Sequence, residues 1–440
     1  MSIALLFNIA ALIAFGVLGL LLFLVLFEPG LYYKVPTPAH ELGEAERLRL
    51  LSELLGVQPR HIEQITHYSN GQAFYSAQLA AIARAQQTLH LENYIFRPGQ
   101  VAERFITALC ERAAAGVQVR VIVDAIGSWQ LRHKHIKRLR KAGVDIHRYH
   151  FLHWHALIRL NNRTHRNLLI VDGSEAFIGG AGIADYWNRK ALPWRDTQTW
   201  CTGPIVAGLQ GVFAENWLEC TGEMLASPAN FPAALTDRER RHPAPEPDES
   251  PEASLAPAIG LAVGSTPTSG RSNQARVLIQ FLLASARQEI LISSPYFIPD
   301  RGIRHELIAA RRRGVQVKVV TGGPYTDHHL VRRAGRKRYG PLLSEGVEIF
   351  EYADSMMHAK ILLVDRVWSV VGSTNFDHRS FGINDEVNLA VLDSGFCHAL
   401  LTDFQIDCRN SQPFTYDDWL KRPLSERVLA WFGTVIERHQ

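Results

Sequence analysis

A chain of 440 residues, 47% of them hydrophobic, can bury a large core and fill two domains of ordinary size with attachments, which sets disorder aside. A formal net charge of +4 is only mildly basic, so the clusters at Arg132–Lys141, Arg311–Arg313 and Arg332–Arg338 matter more than the total, and they suit an anionic partner such as a lipid headgroup or nucleic-acid phosphate. Five scattered cysteines, with no C-x-x-C and no zinc-like spacing, argue against a disulfide framework or a metal site.

The chain opens on a run without a charged side chain, Ser2 to Phe27, rich in Leu, Ile, Val, Phe and Ala. One helix of that length crosses the roughly 30 Å hydrocarbon layer, so the segment is expected to be a single transmembrane anchor. It lacks the basic n-region and the small-x-small site of a cleaved signal peptide. Lys34, Arg47 and Arg49 follow the run, which tilts the rest of the chain towards the cytoplasm.

Beyond residue 36 the same order of segments occurs twice, a repeat far longer than a solenoid unit. The first copy reads ARAQQTLHLENYIFRPG, AAAGVQVRVIVDAIGS, KAGVDIHRYH and then a motif from His165. Asp237 to Pro257, rich in Pro, Glu and Ala, reads as a linker or disordered loop. The second copy follows as ARQEILISSPYFIPD, RRRGVQVKVVTGGP, SEGVEIFEYA and a motif from His358. Amphipathic helices alternating with β-branched runs such as Val119–Val123 and Val315–Val320 predict β-α-β units around a buried sheet. Gly116 and Gly314 stand where left-handed helix caps are needed. The expected fold is two similar α/β domains packed as a pseudo-twofold pair. The expected division is 1–35 (anchor and flank), 36–236 (first domain), 237–257 (linker) and 258–440 (second domain). At the end of the chain, Val428, Leu429, Trp431, Phe432, Val435 and Ile436 form a helical stripe between Arg427 and Arg438, suited either to a membrane interface or to a domain surface.

The two motifs are HRNLLIVDGSEAFIGGAGIAD from His165 and HAKILLVDRVWSVVGSTNFD from His358. In an extended strand, residues two apart share a face, so His358 and Lys360 point to one side and Ala359 to the other. After the turn at Gly372, Ser373 and Asn375 present a hydroxyl and an amide near the same place. Imidazole supplies a nucleophile or proton carrier near neutral pH, the ammonium neutralises phosphate oxygens, and Ser and Asn add hydrogen bonds. This chemistry requires neither metal nor cofactor.

The pattern closely resembles the HKD motif of the phospholipase D superfamily. SPYFIPD, SMMHAKILLVD, GSTNFDHRSF and NDEVN look specifically like bacterial cardiolipin synthases, as do LENYIFRPG, VDAIGS, LNNRTHRN and WRDT in the first half. The resemblance covers nearly all of the chain after about residue 40. It gives the second motif its full set: His358, Lys360, Asp365, Gly372, Ser373 and Asn375. In the first motif His165, Asp172, Gly179 and Gly180 match, but Asn167 replaces the lysine and Gly182 the phosphate-binding asparagine. An amide brings no positive charge, so Asn167→Lys should raise turnover.

The resemblance implies that one histidine attacks phosphorus while the other protonates the departing alcohol. Precedent favours His165 as nucleophile and His358 as acid, with Asp196 and Glu386 holding the rings; the plain alternative is that these carboxylates cap turns or pair with Arg195 and Arg379. Lys360, Ser373, Asn375 and Asn167 would contact the phosphate, and Asp172 and Asp365 would order the motifs from behind. Arg163 or Arg166 would be the sources of replacement charge, although Arg166 should face away. The implied protein is a phosphatidyltransferase at the bacterial inner membrane, turning two molecules of phosphatidylglycerol into cardiolipin and glycerol. Water as acceptor would make it a phospholipase D. A nucleic-acid phosphodiesterase uses the same motif, but the apolar span and aromatic end segment weigh against that partner. Asn167 and Gly182 leave open a weakly active or lipid-binding relative, against which stand His165, His358, Lys360 and Asn375.

Overall fold

The computed structural model describes residues 3–26, 34–35, 38–150, 162–232, 258–266, 273–423 and 426, with side chains of the first helix at 5, 8, 9 and 11–20. The expected linker 237–257 and nearly all of the C-terminal stripe lie outside the described residues. The first helix, Ile3–Leu26, carries no charged residue. Among the described residues no helix is long and apolar enough to cross a membrane, so the expected span is not established by the structure.

Among the described residues sixteen strands follow. Those before the linker are β1 (Arg60–Ile62), β2 (Gln64–Tyr68), β3 (Thr88–Asn93), β4 (Gln118–Asp124), β5 (Asp145–Tyr149), β6 (Leu168–Val171), β7 (Glu175–Gly179) and β8 (Gln198–Thr202). Those after it are β9 (Ala258–Ser265), β10 (Glu289–Ser294), β11 (Gln316–Gly322), β12 (Glu348–Tyr352), β13 (Ile361–Val364), β14 (Trp368–Gly372), β15 (Glu386–Leu392) and β16 (Ser411–Pro413). They form a seven-stranded sheet, β2-β8-β7-β6-β3-β4-β5, and a nine-stranded one, β1-β9-β15-β14-β13-β10-β11-β12-β16. Without its two outer strands the second order repeats the first, which is the repeat seen in the sequence. In each sheet three parallel strands join an antiparallel meander that begins with the motif strand, β6 or β13.

Gly116 and Gly314 have φ of 92° and 90°. Each ends its helix with the following residue's N–H on a carbonyl five residues back, Val117 on Arg112 and Val315 on Ala310. These left-handed caps turn the chain directly from helix into β4 and β11.

Residues 39–62 depart from the expected division at 36. β1 pairs with β9, and Ala39, Leu51 and Leu55 are buried in the core of the second sheet. The apolar stripe of helix Glu44–Leu55 finds its cover there, because helix Gln274–Ser285 presents a matching apolar face. A third core joins the halves: Ile122, Leu168, Ile178, Phe213 and Trp217 pack with Leu291, Met357, Leu363, Val371 and Leu389. Each such side chain fully buried stabilises the pair by about 1.5–3 kcal/mol before entropy is counted. The two sheets therefore meet as one packed body, with the amino ends of the motif strands facing each other.

Candidate active site

Each motif histidine stands just before a buried strand, and the other half of the chain holds it there. His165 N–H donates to Asp385 O at 2.8 Å and Asp385 N–H returns to Arg163 O at 2.9 Å. On the opposite side His358 N–H donates to Arg195 O at 2.7 Å and Arg195 N–H to Met356 O at 2.9 Å. Residues 385 and 195 immediately precede Glu386 and Asp196, so this backbone pairing delivers each carboxylate to the other half's ring. Nδ1 of His165 lies 3.1 Å from Glu386 Oε2, and Nδ1 of His358 lies 2.6 Å from Asp196 Oδ2. Both rings keep Nε2 for chemistry. Of the arginines in the alternative pairing, Arg195 turns to Asp407 at 2.8 Å, and Arg379 Nη2 donates to Asn384 Oδ1 at 3.3 Å.

The His358 side is closely packed. Asp196 also accepts Trp187 Nε1 at 3.1 Å and its neighbour's N–H, from Thr197, at 2.8 Å. The rings of Trp187 and Trp194 lie 5.5 and 5.3 Å from that of His358. Lys360 Nζ stands 3.1 Å from His358 Nε2 and donates to His358 O at 2.6 Å. Burial, and then the Lys360 charge, hold His358 below the ordinary imidazole pKa despite Asp196. Burial brings Lys360 down to about 8, and Asp196 and Glu386 work against that drop.

The His165 side carries the same ring but different support. Nδ1 also lies 3.0 Å from Ser373 O, the Ser373 hydroxyl bonds Glu386 Oε2, and Tyr94 tilts against the ring at 4.9 Å. Asn167 does not imitate Lys360. Its Nδ2 donates to Gly180 O at 3.0 Å, and its Oδ1 accepts Asn93 Nδ2 at 3.1 Å and Tyr94 N–H at 3.3 Å. The amide thus ties the end of β3 to the turn after β7. Arg166 faces away, as expected, onto Val212 O and Glu215. Arg163 lies 3.8 Å from Asp124; neither arginine lines the site.

The glycines mark where backbone must come close. A Cβ at Gly179 would stand 2.2 Å from Thr197 O, and one at Gly372 2.2 Å from Val387 O. At Gly180 a Cβ would meet Asp196 Oδ1 at 2.5 Å, and at Gly182 it would meet Ile95 O at 2.5 Å. An asparagine at 182 therefore has no room, while on the other side Asn375 lines the cavity with its Oδ1 buried without a protein partner among the described residues. Asp172 accepts the N–H groups of Gln86, Gln87 and Thr88 at 2.9, 2.7 and 2.9 Å. Asp365 does the same for Arg287, Gln288 and Glu289 at 2.9, 2.7 and 3.2 Å. Both bind the start of a neighbouring strand, remote from the histidines.

A cavity of about 370 Å³ joins His165, Asn167, Gly180, Gly182, His358 and Asn375, at the carboxyl ends of β3, β4, β10 and β11, the usual ligand position for such sheets. Other residues of its walls escaped the sequence reading: Tyr94, Arg97, Ile126, Trp129 and Trp194 from the first half, and Tyr296, Asp327, His328, Asp377 and Asn384 from the second; Arg379, read beforehand only as an alternative carboxylate partner, also lines it. Most sit in loops after parallel strands, the one signal available beforehand. Arg97 and Arg379 bring positive charge to the cavity wall, and Lys360 stands beside the His358 ring that lines it. Among the described residues no His, Cys, Asp and Glu cluster has the form of a metal site.

A duplicated α/β sheet whose two motif histidines share one cavity is the architecture of a phospholipase D-superfamily enzyme. The family described as cardiolipin synthase, PLD-like domain, matches residues 79–190 and 279–408. Cardiolipin synthase of Geobacillus sp. (strain WCH70) is 32% identical over 398 residues, covering 88% of this chain and 75% of that one. Cardiolipin synthase A of Pseudomonas aeruginosa (strain LESB58) is 33% identical over 355 residues, covering 79% and 68%. In fold, phosphatidylserine synthase of Haemophilus influenzae Rd KW20 superposes with a TM-score of 0.67 at 13% identity, covering 90% of this chain and 100% of that one. Polyphosphate kinase of Porphyromonas gingivalis gives 0.52 at 13% identity, covering 86% and 53%. The chain belongs to the cardiolipin synthase, PLD-like domain, family and is a phosphatidyltransferase of the phospholipase D superfamily.

Proposed function

We propose that the protein makes cardiolipin from two molecules of phosphatidylglycerol through a phosphohistidine. His165 Nε2 attacks phosphorus, the bond to the glycerol headgroup breaks, and His358 gives its Nε2 proton to the departing oxygen. A hydroxyl of the second phosphatidylglycerol then gives its proton to His358 as its oxygen attacks phosphorus, and the P–N bond returns its electron pair to His165. Lys360 and Asn375 hold the phosphoryl oxygens, while Glu386 and Asp196 fix the rings and offset the charge that each acquires in turn. The observation that carries the reading is the crossed pair of carboxylate-held imidazoles opening on one cavity. Burial and the Lys360 charge make His358, once protonated, a strong donor to the leaving oxygen, and they shift the pH range in which it holds that proton downwards.

The same reading takes Ile3–Leu26 as a single membrane anchor, with the two units at the cytoplasmic face of the bacterial inner membrane. What supports the anchor is the uncharged sequence of this helix and the outward exposure of its described apolar side chains, Leu12 at 78% and Phe15 at 76%. Alkaline carbonate should leave the protein in the membrane fraction and detergent should release it; release by carbonate would remove the anchor.

Mass spectrometry after incubation with phosphatidylglycerol vesicles tests the reaction, with His358→Ala as control. Cardiolipin that vanishes in the control is the expected result. Phosphatidic acid alone would make water the acceptor and the protein a hydrolase.

A further inference from the structure

The two walls of the cavity descend from one repeated loop yet differ in chemistry. Val123 faces Asn93 across β4 and β3, and Thr321 faces Ser294 across β11 and β10. Counting six residues onward from each places Trp129 and Asp327 at corresponding positions. Ile126 and Trp129 form an apolar wall, both substantially exposed at 47% and 66%. The second half contributes Tyr296, Asp327 and His328, beside the apolar Ile298 and Val331. Tyr296 OH donates to Asp327 Oδ1 at 2.6 Å, and the Tyr296 and His328 rings meet edge to face at 5.8 Å. The other Asp327 oxygen stands 3.7 Å from His328 Nε2, too far for a hydrogen bond.

Two carboxylates line the cavity; Asp377 is taken up by the Ser380 N–H at 2.9 Å, whereas Asp327 is an unexpected lining for a cavity that takes a phosphodiester. It repels phosphoryl oxygens, and the Asp327 charge acts to raise the proton affinity of both His358 and Lys360. An ionised carboxylate only accepts hydrogen bonds, and among the uncharged parts of a phospholipid headgroup the matching donor is a hydroxyl. Resting on the transferase reading above, we propose that Asp327, oriented by Tyr296 and flanked by His328, is a subsite for polyols. It accepts a hydrogen bond from a second hydroxyl of the entering alcohol while His358 takes the proton of the attacking one. Asp327 is thus a specificity-determining residue that favours a glycerol-type acceptor over water or a simple alcohol, and the Ile126–Trp129 wall takes the apolar side of the lipid.

The test is a competition in the full-length protein reconstituted with phosphatidylglycerol vesicles, offered equal concentrations of ¹³C-glycerol and 1-propanol. The readout is the ratio of labelled phosphatidylglycerol to phosphatidylpropanol. A ratio is used because a general loss of activity does not mimic its change. The wild type should favour glycerol, and Asp327→Ala should lower the ratio about tenfold or more, as expected for losing a hydrogen bond to a charged group. Tyr296→Phe, which frees the carboxylate without removing it, should lower the ratio less. A wild type indifferent to the two alcohols, or a ratio unmoved by Asp327→Ala, would overturn the subsite and leave the transferase reading standing. Formation of neither product by the wild type would remove the transferase reading, and the subsite with it.

Discussion

Lys360 and Asn167 occupy the same place in two copies of one topology, and the fold employs them in opposite ways. Lys360 sits beside the His358 ring and brings charge to the cavity. Asn167 is bound on both sides of its amide by Asn93, Tyr94 and Gly180, and it holds backbone together. The same division separates Ser373, whose hydroxyl reaches Glu386, from Gly180, which leaves room for Asp196. It also separates Asn375 from Gly182, where Ile95 fills the space. A single phosphate needs two imidazoles but not two of every other group. The first copy retained the imidazole and gave its remaining positions to packing.

The strongest way to break this comparison is to remove the group that both copies share. His165→Ala and His358→Ala should each reduce turnover by about 10²–10⁴, the usual range for a positioned proton carrier or more, in a phosphatidylglycerol consumption assay. A large loss in one variant only would mean that the site works with a single histidine. Next come the groups that differ. Lys360→Ala should cost about 10²–10³ in rate. Asn167→Ala should cost less than about tenfold in rate but about 1–3 kcal/mol in stability, because it leaves buried donors and acceptors unpaired. The structure also reverses the expectation that Asn167→Lys raises turnover: an ammonium cannot accept from Asn93 and Tyr94, so turnover should fall. Equal rate losses at 167 and 360 would show that the amide touches the phosphate.

Smaller effects sharpen the comparison at the back of the site. Asp172→Ala should lower stability by about 1–3 kcal/mol by orphaning backbone N–H groups. Asp365→Ala should lower it further, since Asp365 Oδ2 also stands 3.5 Å from the fully buried guanidinium of Arg47. Melting temperatures of the two variants would decide the order. The smallest effect is a pH profile. kcat/KM reports groups of the free enzyme. It should begin to descend with rising pH below the ordinary histidine range as His358 loses its proton, then descend again near pH 8 as Lys360 does. Lys360→Arg should abolish the second step. For stability the sign is opposite: between about 8 and 10.5 the unfolded chain binds the lysine proton that the folded one has released, so stability rises with pH there.

Much of this was legible in the sequence, for definite reasons. Strand periodicity and the repeat predicted the paired sheets, and Gly116 and Gly314 the caps, because these follow from local backbone geometry. The motif residues were legible because their spacing is set within one strand and its turn. The exchange of Glu386 and Asp196 between halves was not, since spacing says nothing of which half packs against which. Trp129, Tyr296 and Asp327 were missed because loops after parallel strands converge only in the fold. Residues 39–62 were placed in the wrong half because a short amphipathic helix shows that it needs cover but not where the cover lies.

The crossed carboxylates also bear on when the protein becomes active. On emerging from the ribosome the first copy has its histidine but not Glu386, and the second copy's histidine waits for contact with Asp196. Neither ring is held until both sheets have been made and have docked. A stalled or prematurely terminated chain would thus present no assembled site.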